Sequence, residues 1–142
     1  MEASEILIEK LKEFEGLRLE AYQDAAGVMT IGYGHTGNDV HKGDHITAYY
    51  ATELLKDDLG EFEAAVRRLR TAKTQGQFDA LVSLAFNIGS ERLKVSTLLK
   101  VIREGGSKAQ ITREFKRWVY AGGRKLSGLE RRREWEAKRF FE

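Results

Sequence analysis

Apolar residues along this chain recur in two periods. Behind Ser4, a residue type that caps helices, Leu7, Leu11 and Phe14 fall at i, i+4 and i+7. That spacing predicts a short amphipathic helix. It should stop at Glu15-Gly16, because glycine readily takes the left-handed conformation that closes a helix. From Leu17 the period drops to two, with Leu17, Leu19 and Ala21 alternating with Arg18, Glu20 and Tyr22. Asp24-Ala25-Ala26-Gly27 reads as a turn, and Gly37-Asn38-Asp39 as another. Between them, Val28 to Tyr33 returns to strand character, and the glycines flanking Tyr33 predict a bend or a close backbone approach. Residues 17–36 therefore form a hairpin or three-stranded sheet, too small to stand without helices to lean on.

From Thr47 the helical period resumes through Ala51, Leu55, Leu59, Phe62, Val66 and Leu69, with Gly60 as a place for a bend. Thr74–Gln77, Ser107–Gln110 and Ser127–Glu130 each have the form of a capping box. The first opens a helix through Phe78, Leu81, Val82 and Ala85 that stops at Gly89. Ser96 caps a helix over Thr97–Arg103, ended by Gly105-Gly106. The second box opens a helix through Ile111, Phe115 and Trp118-Val119, ended by Gly122-Gly123. The third starts a last helix that runs through Trp135 to the terminus. The pattern is that of an α+β chain, mostly helical. An N-terminal helix and β lobe occupy about 1–46, a connecting helix about 47–70 and a helical lobe about 71–142, all in a single domain.

Composition adds limits. At 142 residues, 42% hydrophobic and 32% charged, the chain can bury roughly 68–70% of its unfolded surface without staples. With no cysteine it has no disulfide, no thiolate metal site and no thiol nucleophile. The acidic start, Met1 to Glu5, is followed by no long apolar run, so a soluble protein with no signal peptide or membrane span is expected. Charge is uneven: residues 1–99 carry 11 Lys and Arg against 16 Asp and Glu, residues 100–142 carry 13 against 6. A basic C-terminal third suits a polyanion such as a bacterial surface or nucleic acid, or is simply a set of solvated helix faces. Nothing arranges it into a nucleic-acid reading motif, so no nucleic-acid partner is expected. Arg131-Arg132-Arg133 opens a helix where the dipole disfavours cations, which predicts an acidic partner, Glu130 or Glu134. Trp118 and Trp135 read as core or rim anchors of the helical lobe.

Hydrolysis of a glycosidic bond needs one protonated carboxyl and one ionised carboxylate. Glu15, between an apolar helix stripe and the β segment, can be partly desolvated and so suited to general-acid work. Asp24 lies in a polar turn and should stay ionised. Thr30, between them and the glycines, has a hydroxyl that donates one hydrogen bond and accepts two, as a water-holding group must. Residue types alone leave the structural reading open as well: a solvated helix-end glutamate and an Asx-turn aspartate. Tyr22 and Tyr33 can line a sugar cleft or pack the hairpin. Asn87 can meet an acetamido group or cap its helix. His41 and His45 are four apart in loop composition around Gly43, which does not suit a metal, and none is expected. Gly32-Tyr33-Gly34 lacks the third glycine and the following helix of a phosphate loop.

Glu15, Gly16, Tyr22, Asp24, Gly27 and Thr30-Ile31-Gly32-Tyr33-Gly34-His35-Thr36 together resemble the active-site signature of the phage-type lysozymes, the endolysins related to phage T4 lysozyme. The similarity continues through Gln77 to Gly89, Ser96 to Leu99, Arg117 to Gly123 and Gly128 to Glu134, nearly the whole chain. The resemblance implies a lysozyme-like two-lobed fold, a small antiparallel β lobe and a helical C-terminal lobe joined by a long helix, with the cleft between them. It implies Glu15 as general acid, Asp24 and Thr30 as the pair that places and activates water, and His35 as a structural brace. Its substrate is the β-1,4 bond between N-acetylmuramic acid and N-acetylglucosamine in peptidoglycan, and its outcome is cell lysis. It implies no cofactor, a monomer, and a route from a host cytoplasm to the wall after membrane permeabilisation. A binding module that holds glycan without turnover is the rival reading. Family prolines before the glycines at 43 and 128 are replaced by Lys42 and Ser127. The chain has no proline at all, where about 5% usage gives roughly seven; an engineered or computationally generated member of the family would account for that.

Overall fold

Helix α1 spans Glu5–Glu15 in the computed structural model, which describes all 142 residues. The Ser4 hydroxyl accepts the Leu7 amide at 3.2 Å, and Leu7 and Leu11 are fully buried. Gly16, at φ +72°, ends the helix by donating its N–H to the Lys12 carbonyl at 3.0 Å. An antiparallel sheet follows in the order β1 (Arg18–Gln23), β2 (Met29–Gly32), β3 (His35–Thr36). The rest is helical except for one hairpin: α2 (Ala48–Leu69), α3 (Gln75–Ile88), α4 (Ser90–Lys94), α5 (Thr97–Arg103), α6 (Lys108–Phe115), β4 (Tyr120–Ala121), β5 (Arg124–Lys125) and α7 (Ser127–Phe140). This is the expected α+β, mostly helical class. The chain forms two compact units, residues 8–60 and residues 1–7 together with 61–142. No helix is long and apolar enough to cross a membrane.

In the unit of residues 8–60, Ile31, Val40 and Leu54 make a small core, with Ala21, Met29 and Ile46 packed on it. Leu17 and Leu19 stay exposed (38% and 42%) although the alternation pairs them with Ala21. The register between β1 and β2 shifts between Arg18 and Tyr22, and such an irregularity breaks the strict alternation of faces. The outer edge of β1 is covered by residues 44–46: Ala21 N–H donates to the Asp44 carbonyl and Ile46 N–H to the Leu19 carbonyl, each at 2.9 Å. Gly32 realises the expected close approach: a Cβ there would lie 3.3 Å from Ile46 Cδ1 and 3.4 Å from Ala51 Cβ. His35 joins the sheet to α2. Its Nδ1 lies 2.9 Å from Asp58 Oδ2 and its Nε2 lies 3.1 Å from Asp39 Oδ2.

In the other unit, α3 is the centre. The predicted face Phe78, Leu81, Val82 and Ala85 is buried, and so is a second stripe, Gly76, Asp79 and Ser83. That stripe meets α7. A Cβ on Gly76 would collide with the backbone carbonyl of Arg139 and sit 2.7 Å from that of Glu142. Asp79 Oδ2 accepts two bonds from Arg139, at 3.1 and 2.9 Å, and one from the Ser4 hydroxyl. Ser83 donates to Glu136 Oε2 at 2.6 Å, and Arg133 Nη2 donates to the same oxygen at 3.0 Å. Successive positions up α3 meet successive positions down α7, so the two helices run antiparallel.

Five local expectations are corrected. Arg132 and Arg133 are buried rather than solvated, and Arg133 pairs with Glu136 and the Trp118 carbonyl, not with Glu130 or Glu134. Helical spacing explains this, because a residue three positions on lies on the same face. Helix α6 ends at Phe115 rather than after Val119, and Gly122-Gly123, both at positive φ, form the turn between β4 and β5 instead of a helix stop. Ser127 is the first residue of α7; Leu126 is its N-cap and makes no side-chain capping bond. Of the other two boxes, Ser107–Gln110 is reciprocal. Thr74 accepts the Gln77 amide, but Gln77 Oε1 accepts from Lys73 N–H instead of Thr74. The helix α4 had no distinct signal in the sequence.

Two outcomes follow from these contacts. Position 127 is a first helical residue whose N–H has no intrahelical role, and Leu126 before it is extended at φ −114°, ψ 130°, which is what a proline requires of its predecessor. Ser127→Pro should raise stability by about 0.4–1 kcal/mol, read as a higher urea midpoint at unchanged slope. Burial alone lowers the His35 pKa, but the hydrogen bonds and charges of Asp58 and Asp39 outweigh it, so the pKa is raised above 6.5. A raised histidine stabilises fully below its unfolded value and ceases to do so as pH climbs through its folded value. Unfolding curves should show stability falling as pH rises above 6.5, and His35→Asn should remove that slope.

Candidate functional site

Glu15, Asp24 and Thr30 all lie in the unit of residues 8–60. Glu15 is the last residue of α1, half-buried where Gly16 redirects the chain. Its position follows from the helix stripe: Leu7 and Leu11 face the interior and Phe14 is half-buried beside it.

Asp24 builds its own turn. Its N–H donates to the Val28 carbonyl, and its carbonyl accepts from Gly27, each at 2.9 Å. Its side-chain Oδ1 accepts two more amides, Ala26 and Val28, also at 2.9 Å each. One carboxylate oxygen is thus committed to the backbone, and the other receives no hydrogen bond from the protein. The turn closes with Gly27 at φ +81°, a conformation that favours glycine.

Thr30 stands in the middle strand, opposite Tyr22 on one side and Thr36 on the other. Directly opposed residues share a sheet face, so Tyr22 and Thr30 lie on one face, and Asp24 follows Tyr22 by two residues in the turn that joins β1 to β2. Thr30 is only 4% exposed, and its hydroxyl donates to the Val28 carbonyl at 3.0 Å. With its proton spent there, the oxygen has lone pairs left and can only accept. The residue that closes the Asp24 turn therefore also fixes the Thr30 hydroxyl: Val28 gives its N–H to Asp24 and its carbonyl to Thr30. No sequence signal singled out Val28, because it acts through its backbone.

Two aromatic rings near this face are held by cations. The Arg18 guanidinium lies 4.2 Å from the Tyr22 ring centre, and Lys12 Nζ lies 6.0 Å from that of Tyr33. Both tyrosines are half-buried, and a tyrosine offers an apolar ring with a polar tip. Asn87 is exposed on the last turn of α3, in the other unit. His35 touches Asp58 and Asp39 with both ring nitrogens. Asp58 escaped sequence reasoning, since a partner 23 positions away leaves no local pattern. His41 and His45 are exposed and separate, near Asp44 at 3.7 Å and Glu20 at 3.6 Å respectively.

The model of the family described as phage lysozyme matches residues 12–136. An endolysin of Bacillus phage B103 is 43% identical over 144 residues, covering 99% of this chain but 54% of the relative. The chain therefore spans about half the length of that relative. An endolysin of Acyrthosiphon pisum secondary endosymbiont phage 1 is 40% identical, covering 100% of this chain and 99% of its own. Among solved structures, the muramidase domain of SpmX from Asticaccaulis excentricus superposes with a TM-score of 0.89 at 38% identity, covering 99% of this chain and 98% of that one. On that match and those identities, the chain belongs to the phage lysozyme family, whose general function is the hydrolysis of peptidoglycan.

Proposed function

We propose that this protein is a muramidase: it hydrolyses the β-1,4 bond between N-acetylmuramic acid and N-acetylglucosamine in bacterial peptidoglycan and so lyses the cell. The observation that carries the reading is the pair of acceptors at Asp24 and Thr30. A water molecule that gives one hydrogen to the open Asp24 oxygen and the other to Thr30 has both its protons held. Its lone pairs are then directed at the anomeric carbon, and Asp24 is placed to take the proton released by attack. Glu15, half-buried at the end of α1, gives its proton to the leaving glycosidic oxygen. Water is the nucleophile and the two carboxyls carry the protons, so the reaction calls for no cofactor.

A base that works through water implies inversion at the anomeric carbon, with the carboxyls about 6.5–9.5 Å apart to leave room for it. Tyr22, Tyr33 and Asn87 bind the glycan, the tyrosines by their rings and hydroxyl tips and Asn87 through an acetamido group. His35 acts as a brace and takes no proton from substrate. The protein works as a monomer and reaches the wall from a host cytoplasm after the membrane has been permeabilised. Nucleic acid is not a partner.

Glu15→Gln should lower the initial rate of sacculus solubilisation by about 100-fold or more, the usual range for loss of a general acid, while binding to sacculi persists. Thr30→Val removes the acceptor and should impair turnover comparably. Thr30→Ser, which keeps it, should restore most of the rate. If Thr30→Val solubilised walls as fast as the parent, the water-holding role would be wrong. If the parent bound sacculi but never released soluble fragments, the chain would be a glycan-binding module.

A further inference from the structure

Where α2 ends, the helical unit holds a second feature that the hydrolytic reading leaves unused. Arg70 follows the last turn of α2 at φ +53°, the one residue other than glycine at positive φ. That is the position where helices are ordinarily closed by glycine, because a side chain is strained there. Arg70 lines a cavity of about 450 Å³ that also receives Lys73 and Arg103. Arg103 is fixed in place. Its Nε donates to the Thr71 hydroxyl at 3.1 Å and its Nη2 to the Leu69 carbonyl at 2.9 Å, which leaves Nη1 uncommitted to the protein. Gln77 also lines the cavity, and its Oε1 accepts from the Lys73 N–H at 2.8 Å. Its amide nitrogen is therefore the end left to donate. Phe140 and Phe141 supply an apolar wall, and Lys108 Nζ lies 5.4 Å from the Phe141 ring centre.

The cavity thus offers donors and no carboxylate. One carboxylate ligand is matched by a single arginine fork, whereas two guanidiniums and an ammonium together suit the several oxygens of a phosphate. The volume falls in the range of small-ligand sites. We propose that this cavity is a binding site for a phosphate group, supplied either as free phosphate or as an alkyl phosphate ester. Arg70 keeps its strained backbone because its side chain serves this site, an inference that runs from the outlier to the role. The proposal rests on the cavity and its donors and stands apart from the hydrolytic reading, so a Glu15→Gln protein should bind phosphate as the parent does.

The test is a titration of the intact, isotope-labelled protein with sodium phosphate, glycerol 3-phosphate and sodium acetate at matched ionic strength, followed by amide and arginine side-chain resonances. Phosphate and glycerol 3-phosphate should shift Arg70, Lys73 and Arg103 saturably, and acetate should not. Tighter binding of glycerol 3-phosphate would assign the site to an ester, with its carbons against the aromatic wall; equal binding would assign it to free phosphate. Arg70→Gly relieves the backbone, so its melting temperature should hold or rise while phosphate affinity falls about tenfold, or about 1.4 kcal/mol. The proposal is overturned if acetate moves the same resonances equally, if no shift saturates, or if Arg70→Gly binds phosphate as tightly as the parent.

Discussion

The β unit depends on how one carboxylate divides its two oxygens. Asp24 uses Oδ1 to close the turn between β1 and β2, taking the amides of Ala26 and Val28. The same geometry that makes the turn stable leaves the second oxygen without a hydrogen bond from the protein. Val28 then transmits this arrangement across one residue, since its carbonyl takes the Thr30 proton. A purely structural Asx turn would account for Asp24 alone. It would not account for a buried threonine hydroxyl turned into an acceptor by the same Val28 backbone. The proposed hydrolysis uses what the turn leaves over.

The helical unit is organised by polar contacts of a different kind. Along α3, Gly76, Asp79 and Ser83 form a stripe that receives α7 through a backbone approach, a buried ion pair and a hydroxyl. Burial is the largest influence on Glu136 and pushes its carboxyl up, while it pushes Arg133 down. Each thus needs the other, and Arg133 and Glu136 approach to 2.7 Å. Buried pairs of this sort add little net stability over apolar packing, but breaking one partner is costly. Their effect here is to fix the register of α7 against α3, which apolar contacts alone would leave free to slip. Ser4 adds the start of α1 to the same Asp79 carboxylate.

Much of this was legible in the sequence, for local reasons. The caps at Ser4, Ser96 and Ser107 and the stop at Gly16 depend on neighbours within four residues, and the strand-turn-strand of residues 18–32 on pairings between close stretches such as Tyr22 with Thr30. Glu15, Asp24 and Thr30 fall within or beside that stretch, which is why they could be proposed from spacing and resemblance. What failed to show were pairings over distance. His35 and Asp58 are 23 residues apart, and Ser83 and Glu136 are 53. The arginine run at 131–133 was misjudged because position on a helix face, not charge, decides burial. Gly122-Gly123 was misjudged because a double glycine serves a hairpin turn as well as a helix stop, and only the pairing of Tyr120 with Lys125 distinguishes them.

The central claim is that water held by Asp24 and Thr30 attacks the muramic acid carbon while Glu15 releases the other sugar. Digestion of purified sacculi in oxygen-18 water examines this directly. The account predicts that every chain break yields a reducing muramic acid terminus carrying one oxygen-18 atom at its anomeric carbon. Anhydro termini without label, or released peptides with the glycan strands intact, would contradict it.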